Sequence, residues 1–188
     1  MRVGLFGGAF DPVHLGHLIL AEQCREQGRL DQVWFLPTAH PPHKPESTGA
    51  GFEDRFRMVE LACGLDPRFE PSRIEAGEEK SYSIVTVEKI RPTVRELYFI
   101  IGADAFAEIA TWYRWQDLLR LTDFIVVTRP GHHYECPPGA RVHRLDTLAL
   151  PVSSSEIRQQ LAQGNLPPEL PPKVAEYIAG KGLYDFPR

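Results

Sequence analysis

The amino-acid sequence predicts an α/β protein: one open parallel sheet with helices on both faces, in a single domain. Three observations carry this. Short apolar runs at residues 3–6, 32–36, 97–101 and 124–127 are each bounded by Gly, Pro or polar residues, as buried strands are. Stretches with helical spacing separate them, and that alternation gives parallel strands joined by right-handed crossovers. The length of 188 residues fits one domain, and a chain of that size buries roughly 70% of its surface without covalent staples.

Taken in order, Val3-Gly4-Leu5-Phe6 is a strand, Gly7 to His17 a glycine turn, and Leu18-Ile19-Leu20-Ala21-Glu22-Gln23 the start of a helix that ends near Gly28. Residues 32–36 form a second strand. The proline-rich stretch that follows, with His40, His43 and Lys44, is a loop to Gly49, because its breakers forbid any period. Phe52 to Cys63 is a helix with charges between its apolar positions, ended by Gly64 and Pro67. Residues 69–74 are a short strand, and 81–90 a helix capped by Ser81 and stopped by Pro92. Leu97-Tyr98-Phe99-Ile100-Ile101 is a buried strand ended by Gly102. A short helix at 117–121, a buried strand at 124–127, a turn at Arg129-Pro130-Gly131 and a loop to Gly139 holding His132-His133 come next. An edge strand at 141–145 precedes a small helical part from about residue 151, with helices at 153–163 and 173–179.

Composition removes several classes of function. The net charge of −4 argues against a general nucleic-acid binder, yet local donors can still hold a small anion against that distant field. Cys24, Cys63 and Cys136 are scattered, so neither a disulfide framework nor a zinc ribbon is expected. No apolar run approaches a membrane span. The first strand starts almost at Met1, leaving no room for a signal peptide. A cytoplasmic protein without membrane or nucleic-acid partners is expected, and a homo-oligomer stays open.

The stretch after the first strand carries the chemistry. Strand, turn and helix place it at the carboxyl edge of the sheet, where ligands of open α/β sheets bind. Gly7 and Gly8 let backbone approach a ligand closely, and the unpaired N–H groups of a helix start attract an anion. His14 and His17 are three apart and share a face of the helical turn. Two imidazoles beside such a helix start suggest a phosphate chain. The turn is neither a P-loop nor a dinucleotide fingerprint, since Lys-Ser/Thr and G-x-G-x-x-G are both absent. A zinc-binding His pair is the competing reading, but no Cys or carboxylate cluster completes it; histidines with a purely structural role are another.

A second stretch, Pro151-Val152-Ser153-Ser154-Ser155-Glu156-Ile157-Arg158, starts a helix, because Ser153 and Glu156 form a capping box. Arg158 opposes the helix dipole at a cost of roughly 0.3–1 kcal/mol, so it is explained either by an anion within its reach or by simple solvation. Asp104, just past a strand end, suits a ribose hydroxyl, a hydrated Mg²⁺ or a helix cap. Trp112 and Tyr113 are adjacent, so one can stack on a flat ring while the other packs elsewhere. Ser83 lies at a helix start that could receive a carboxylate.

Gly7-Gly8-x-Phe10-Asp11-Pro12-x-His14-x-Gly16-His17 resembles the first signature of the HxGH nucleotidyltransferases, and within them that of the bacterial nicotinate-nucleotide adenylyltransferases. Ala9 stands where that family usually has Thr or Ser. Residues 152–158 are similar to the family's Ile-Ser-Ser-Thr-x-Ile-Arg, with Val152 for Ile and Ser155 for Thr. Residues 177–184 resemble its C-terminus, so the likeness runs from end to end.

The resemblance implies a Rossmann-like fold and adenylyl transfer from ATP to nicotinate mononucleotide, with Mg²⁺ held mainly by substrate and no metal site of the protein's own. It implies that His14 and His17 are the catalytic donors. Gly7, Gly8, Ala9, Phe10, Lys44, Ser153, Ser154 and Arg158 would hold ATP and its phosphates. Trp112 would stack on the pyridine ring, the amides at Ser83 and Tyr113 would meet its carboxylate, and Asp104 would complete the nucleotide site. A phosphopantetheine adenylyltransferase, a cytidylyltransferase and a non-catalytic ATP sensor share the first motif and remain rivals.

Overall fold

Alternation within the strands decides which layer each side chain joins. The computed structural model describes residues 1–39, 49–77, 81–128, 131, 133–147 and 152–187. The strands are β1 (Arg2–Gly8), β2 (Gln32–Pro37), β3 (Phe69–Pro71), β4 (Glu96–Gly102), β5 (Asp123–Thr128) and β6 (Val142–Asp146). The helices are α1 (Leu15–Gly28), α2 (Phe52–Cys63), α3 (Ser83–Ile90), α4 (Ala103–Ala107), α5 (Trp115–Leu121), α6 (Ser154–Ala162) and α7 (Pro172–Lys181). All strand pairs are parallel, in the order β3-β2-β1-β4-β5-β6. The order reverses between β1 and β4, and ligands of such sheets bind at that switch point.

Val3, Leu5, Leu97, Phe99, Ile101, Phe124 and Val126 point to one side, where Ile84 and Val87 of α3, Phe106 of α4 and Leu118 of α5 cover them. Phe6, Tyr98, Ile100 and Ile125 point to the other, against Cys24 of α1, Met58 of α2, Leu161 of α6 and Ile178 of α7. With both faces covered, the strands read as continuous apolar runs. Among the described residues no helix is long and apolar enough to cross a membrane.

Several boundaries differ from the sequence expectation. Gly7 and Gly8 belong to β1, paired with Leu36 and Pro37, so the turn proper is residues 9–13. Helix α1 begins at Leu15 rather than Leu18, which makes His14 its N-cap. Ser81 does not cap α3: Tyr82 is the N-cap, and the Ser81 hydroxyl accepts from the Ala39 N–H at 3.3 Å, fastening the helix start beside the exit of β2. Strand β3 stops at Pro71, as suits proline on an edge strand. Helix α4 and the 3-10 turns at Arg91–Thr93 and Ile109–Thr111 were not expected, because elements this short show no period.

Arg55 is the largest departure. In the sequence it is simply one of the charges between the apolar positions of α2, yet it is only 4% exposed. Its guanidinium donates to the carbonyls of Ala9 (2.7 Å), Thr38 (2.8 Å), Ala39 (3.3 Å) and Ala50 (3.1 Å). Burial draws its pKa below the usual arginine value, and the Asp11 carboxylate works against that. Arg55 thus holds the loop ends after β1 and β2 to the start of α2. Replacing Arg55 with Leu should lower the unfolding free energy by about 3 kcal/mol or more, since carbonyls and a carboxylate lose their counterpart. Urea denaturation measures this, and a loss below about 1 kcal/mol would show that the guanidinium is not holding the turn.

Candidate active site

The turn after β1 is built so that two imidazoles stand on it at fixed angles. Gly8 lies under Phe10: a Cβ there would meet the Phe10 ring at 3.1–3.3 Å. Phe10 is buried at φ 47. Its ring meets His17 edge-on with centroids 5.1 Å apart, and Phe6 lies 6.1 Å from the same imidazole. Gly16 has a similar reason. A Cβ there would meet Cε1 and Nδ1 of His14 at 3.0 Å, so glycine lets that ring lie over the helix start. The His14 and His17 rings are then 3.8 Å apart at 34°.

The electrostatics of the two rings differ. The backbone N–H of His14 donates to Nδ1 of His17 at 3.2 Å. The neutral His17 ring must therefore carry its proton on Nε2, which is then a hydrogen-bond donor. His14 is 5% exposed, with Nδ1 buried and lacking a hydrogen-bond partner. Burial pushes its pKa down from 6.5 to about 4, only partly opposed by the charge of Glu169. His14 is neutral at neutral pH.

The late serine turn lies against this one. Ser153 caps α6, its Oγ accepting from the Glu156 N–H at 3.1 Å, which is the serine half of the expected capping box. The Ser154 hydroxyl donates to the carbonyl of Pro12 at 3.1 Å. Arg158 donates to the carbonyl of Asp11 at 2.7 Å, and its Nη1 lies 3.8 Å from the Asp11 carboxylate. Arg158 is therefore not simply solvated; in this conformation it is a tie between the turns. A cavity of about 340 Å³ opens beside the junction, lined by His14, His17, Ser153 and Ser154. It also touches Gln23 on α1, Val127 at the end of β5, and Thr147.

The remaining candidates gather along the same sheet edge. Gly102, not Asp104, caps α4; Asp104 is exposed at the second helical position, past the carboxyl end of β4. Tyr82, at the start of α3, meets Tyr113 with ring centroids 4.6 Å apart. Trp112 is half-buried against Phe99. The two neighbours thus diverge, one toward the core and one toward α3. Arg114 fastens their loop to α3 through Glu88 at 2.7 Å and to α5 through Asp117 at 2.8 Å. Ser83 opens α3, whose first amides precede any helical carbonyl.

Gly7, Gly8, Ala9, Phe10, His14, His17, Ser153, Ser154 and Arg158 come together around the two turns; Ser83, Trp112 and Tyr113 form a second group, with Asp104 at the end of β4. Lys44, like His43, Arg129 and His132, lies outside the described residues. Sequence reasoning missed Asp11, Arg55 and Tyr184 as fasteners of the site. The Tyr184 hydroxyl donates to the Asp11 carboxylate at 2.7 Å, and burial together with that charge holds its pKa well above the tyrosine range. Only the place of Asp11 and Tyr184 within resembling segments pointed to them. Among the described residues no group of three or more His, Cys, Asp or Glu could hold a metal ion.

The buried imidazole has a pH consequence. The unfolded chain takes up a proton near pH 6.5 that His14 in the fold accepts only near about 4. This contribution to stability is complete above pH 6.5 and is lost as pH falls toward about 4. The His14 ring signal in proton NMR should stay fixed from about pH 8 down to about pH 5.5. A midpoint near the ordinary histidine value would contradict the burial described here.

Comparison with known proteins places this arrangement. Residues 5–160 match the cytidylyltransferase-like family. A protein of Solibacter usitatus, described as a probable nicotinate-nucleotide adenylyltransferase, is 53% identical over 188 residues, covering 98% of this chain and 100% of its own. One of the same description from Exiguobacterium sibiricum is 42% identical over 188 residues, covering 98% and 99%. The fold is similar to that of the Plasmodium falciparum nicotinic acid mononucleotide adenylyltransferase complexed with NaAD, with a TM-score of 0.78, 19% identity, and 99% and 98% of the two chains covered. By identity and coverage, the chain belongs to the cytidylyltransferase-like family and, within it, to the nicotinate-nucleotide adenylyltransferases.

Proposed function

We propose that the protein acts in the cytoplasm as an adenylyltransferase of NAD biosynthesis, joining the AMP part of ATP to nicotinate mononucleotide to form nicotinate adenine dinucleotide and pyrophosphate. The observation that carries this reading is the junction of the two turns, where the starts of α1 and α6 meet at one cavity beside His14 and His17.

The 5′-phosphate of nicotinate mononucleotide attacks the α-phosphorus of ATP in line, the α–β bridging bond breaks, and pyrophosphate leaves. No enzyme nucleophile is required, because the attacking phosphate is already ionised. The serine hydroxyls are already engaged: Ser153 serves the helix cap and Ser154 the Pro12 carbonyl. Catalysis is positioning plus stabilisation of charge on the transferring group. His17 donates from Nε2 to an α-phosphate oxygen, and neutral His14 helps orient the chain of phosphates. The amides at the start of α6 hold the leaving pyrophosphate, and Arg158 adds charge from beside Asp11.

In the first turn the Asp11 carboxylate is already taken up by the Ala50 N–H, the Tyr184 hydroxyl and the nearby Arg158, and the other carboxylate of the candidate site, Asp104, lies past the end of β4. That set fits a magnesium ion carried on substrate phosphates better than one bound by the protein. Such an ion neutralises phosphate charge.

At the other end, the nicotinate ring lies on Trp112, and its carboxylate meets the amides at Ser83 and Tyr113. A carboxylate gains from the positive end of α3, whereas a neutral amide gains less. The acid should therefore be preferred over nicotinamide mononucleotide.

Mixing ATP with nicotinate mononucleotide, nicotinamide mononucleotide or phosphopantetheine and following pyrophosphate tests this directly. The nicotinate nucleotide should react fastest. Preference for phosphopantetheine, or inertness with all three, would overturn the reading in favour of the sister enzyme or a nucleotide sensor. His17→Ala should lower kcat by roughly 10²-fold or more, the usual loss of one preorganised donor; full turnover would remove His17 from the mechanism. Trp112→Ala should raise KM for nicotinate mononucleotide while leaving that for ATP nearly unchanged. The opposite pattern would reassign the ring platform.

A further inference from the structure

The face of α1 that begins at Gly16 continues through Ile19, Leu20 and Gln23, at steps of three and four residues. The cavity beside the histidines follows this face. Its chemistry changes along its length. Imidazoles and helix amides stand at one end. Ile19, Leu20, Val127 and Val152 make its apolar walls, and Ile19 is exposed there despite its size. A polar pair that the mechanism does not use also lines it: the Thr147 hydroxyl donates to Oε1 of Gln23 at 2.6 Å, joining residues 124 apart. Thr147 is buried, and its N–H is bonded to the carbonyl of Thr128, so the hydroxyl is held in place. The seven steps from Gly16 to Gln23 span roughly 10 Å of helix, room for a ribose and a base beyond an α-phosphate.

We propose that Gln23, oriented by Thr147, reads the nucleobase of the triphosphate and selects adenine. This deepens the adenylyl-transfer reading and rests on it for the placement of the phosphates. A carboxamide oxygen has two lone pairs, and Thr147 uses one. The other accepts from the 6-amino group of adenine, while Nε2 donates to the neighbouring ring nitrogen, the paired contact by which Gln recognises adenine. A 6-oxo purine sets an acceptor against Oε1. To accept such a base the amide must turn over and give up the hydrogen bond that Thr147 donates. The apolar walls select only a flat ring; the amide distinguishes which ring it is.

Titration calorimetry with ATP and with inosine triphosphate, each with Mg²⁺, tests this on the whole protein without requiring turnover. The unsubstituted protein should bind ATP roughly 10- to 100-fold more tightly than inosine triphosphate. In Thr147→Val, of nearly the same shape, and in Gln23→Leu, that ratio should fall by about 10-fold. A thermal melt of each variant shows whether it is folded. Equal affinity for the two nucleotides in the unsubstituted protein, or an unchanged ratio in both folded variants, overturns the proposal. Failure of the adenylyl-transfer reading would show instead as an inert pyrophosphate assay, which leaves these affinity ratios measurable.

Discussion

Asp11 carries a carboxylate into a region where only 8% of the residue meets solvent, and an ion placed there must find donors or counter-charges. The chain supplies them from far apart. The Ala50 N–H donates to Oδ1 at 3.0 Å, ahead of α2, and the Tyr184 hydroxyl donates to the same oxygen from the C-terminal 3-10 turn at Leu183–Asp185. The guanidiniums of Arg55 and Arg158 supply the positive charge around it. The backbone of the same turn is used as fully: the carbonyls of Ala9, Asp11 and Pro12 accept from Arg55, Arg158 and Ser154. One short turn thus fixes how β1, α2, α6 and the end of the chain stand to one another. Because the ties lie within the protein, the two turns are brought together without any ligand.

That preorganisation suits a reaction in which the protein need not form a bond. Two helix starts, those of α1 and α6, bring their positive ends to one cavity, offsetting locally a chain whose net charge is −4. The imidazoles add directed donors. His17 has one nitrogen occupied by backbone, so the proton has a single place on the neutral ring. His14 stays neutral through burial, so it can orient phosphate without being titrated away across the physiological range. Gly16 favours this geometry, since a Cβ there would crowd Cε1 and Nδ1 of the His14 ring at 3.0 Å.

Much of the fold was legible because strands buried on both faces leave plain apolar runs, and β1, β2, β4 and β5 all do so. The Ser153 cap was legible too, being a local pattern of two residues three apart. What escaped was what depends on distant partners or on very short elements. Nothing in the spacing of α2 marks Arg55 as buried, because its carbonyl partners come from the ends of β1 and β2. Arg158 was read as reaching either an anion or solvent, while its contact in the fold is with Asp11, 147 residues away. Ser81 lost the capping role to Tyr82 because its hydroxyl is engaged by the loop after β2. Helix α4 has five residues, too few for a period, yet it is the element that sets Asp104 at the sheet edge.

The central claim is that the first glycine–histidine turn and the late serine turn are two halves of one triphosphate site. A crystal structure with a non-hydrolysable ATP analogue tests it most directly. The account requires the α-phosphate beside Nε2 of His17 and the terminal phosphates against the amides that open α6. Phosphates bound to only one of these turns, with the other facing solvent, would contradict it.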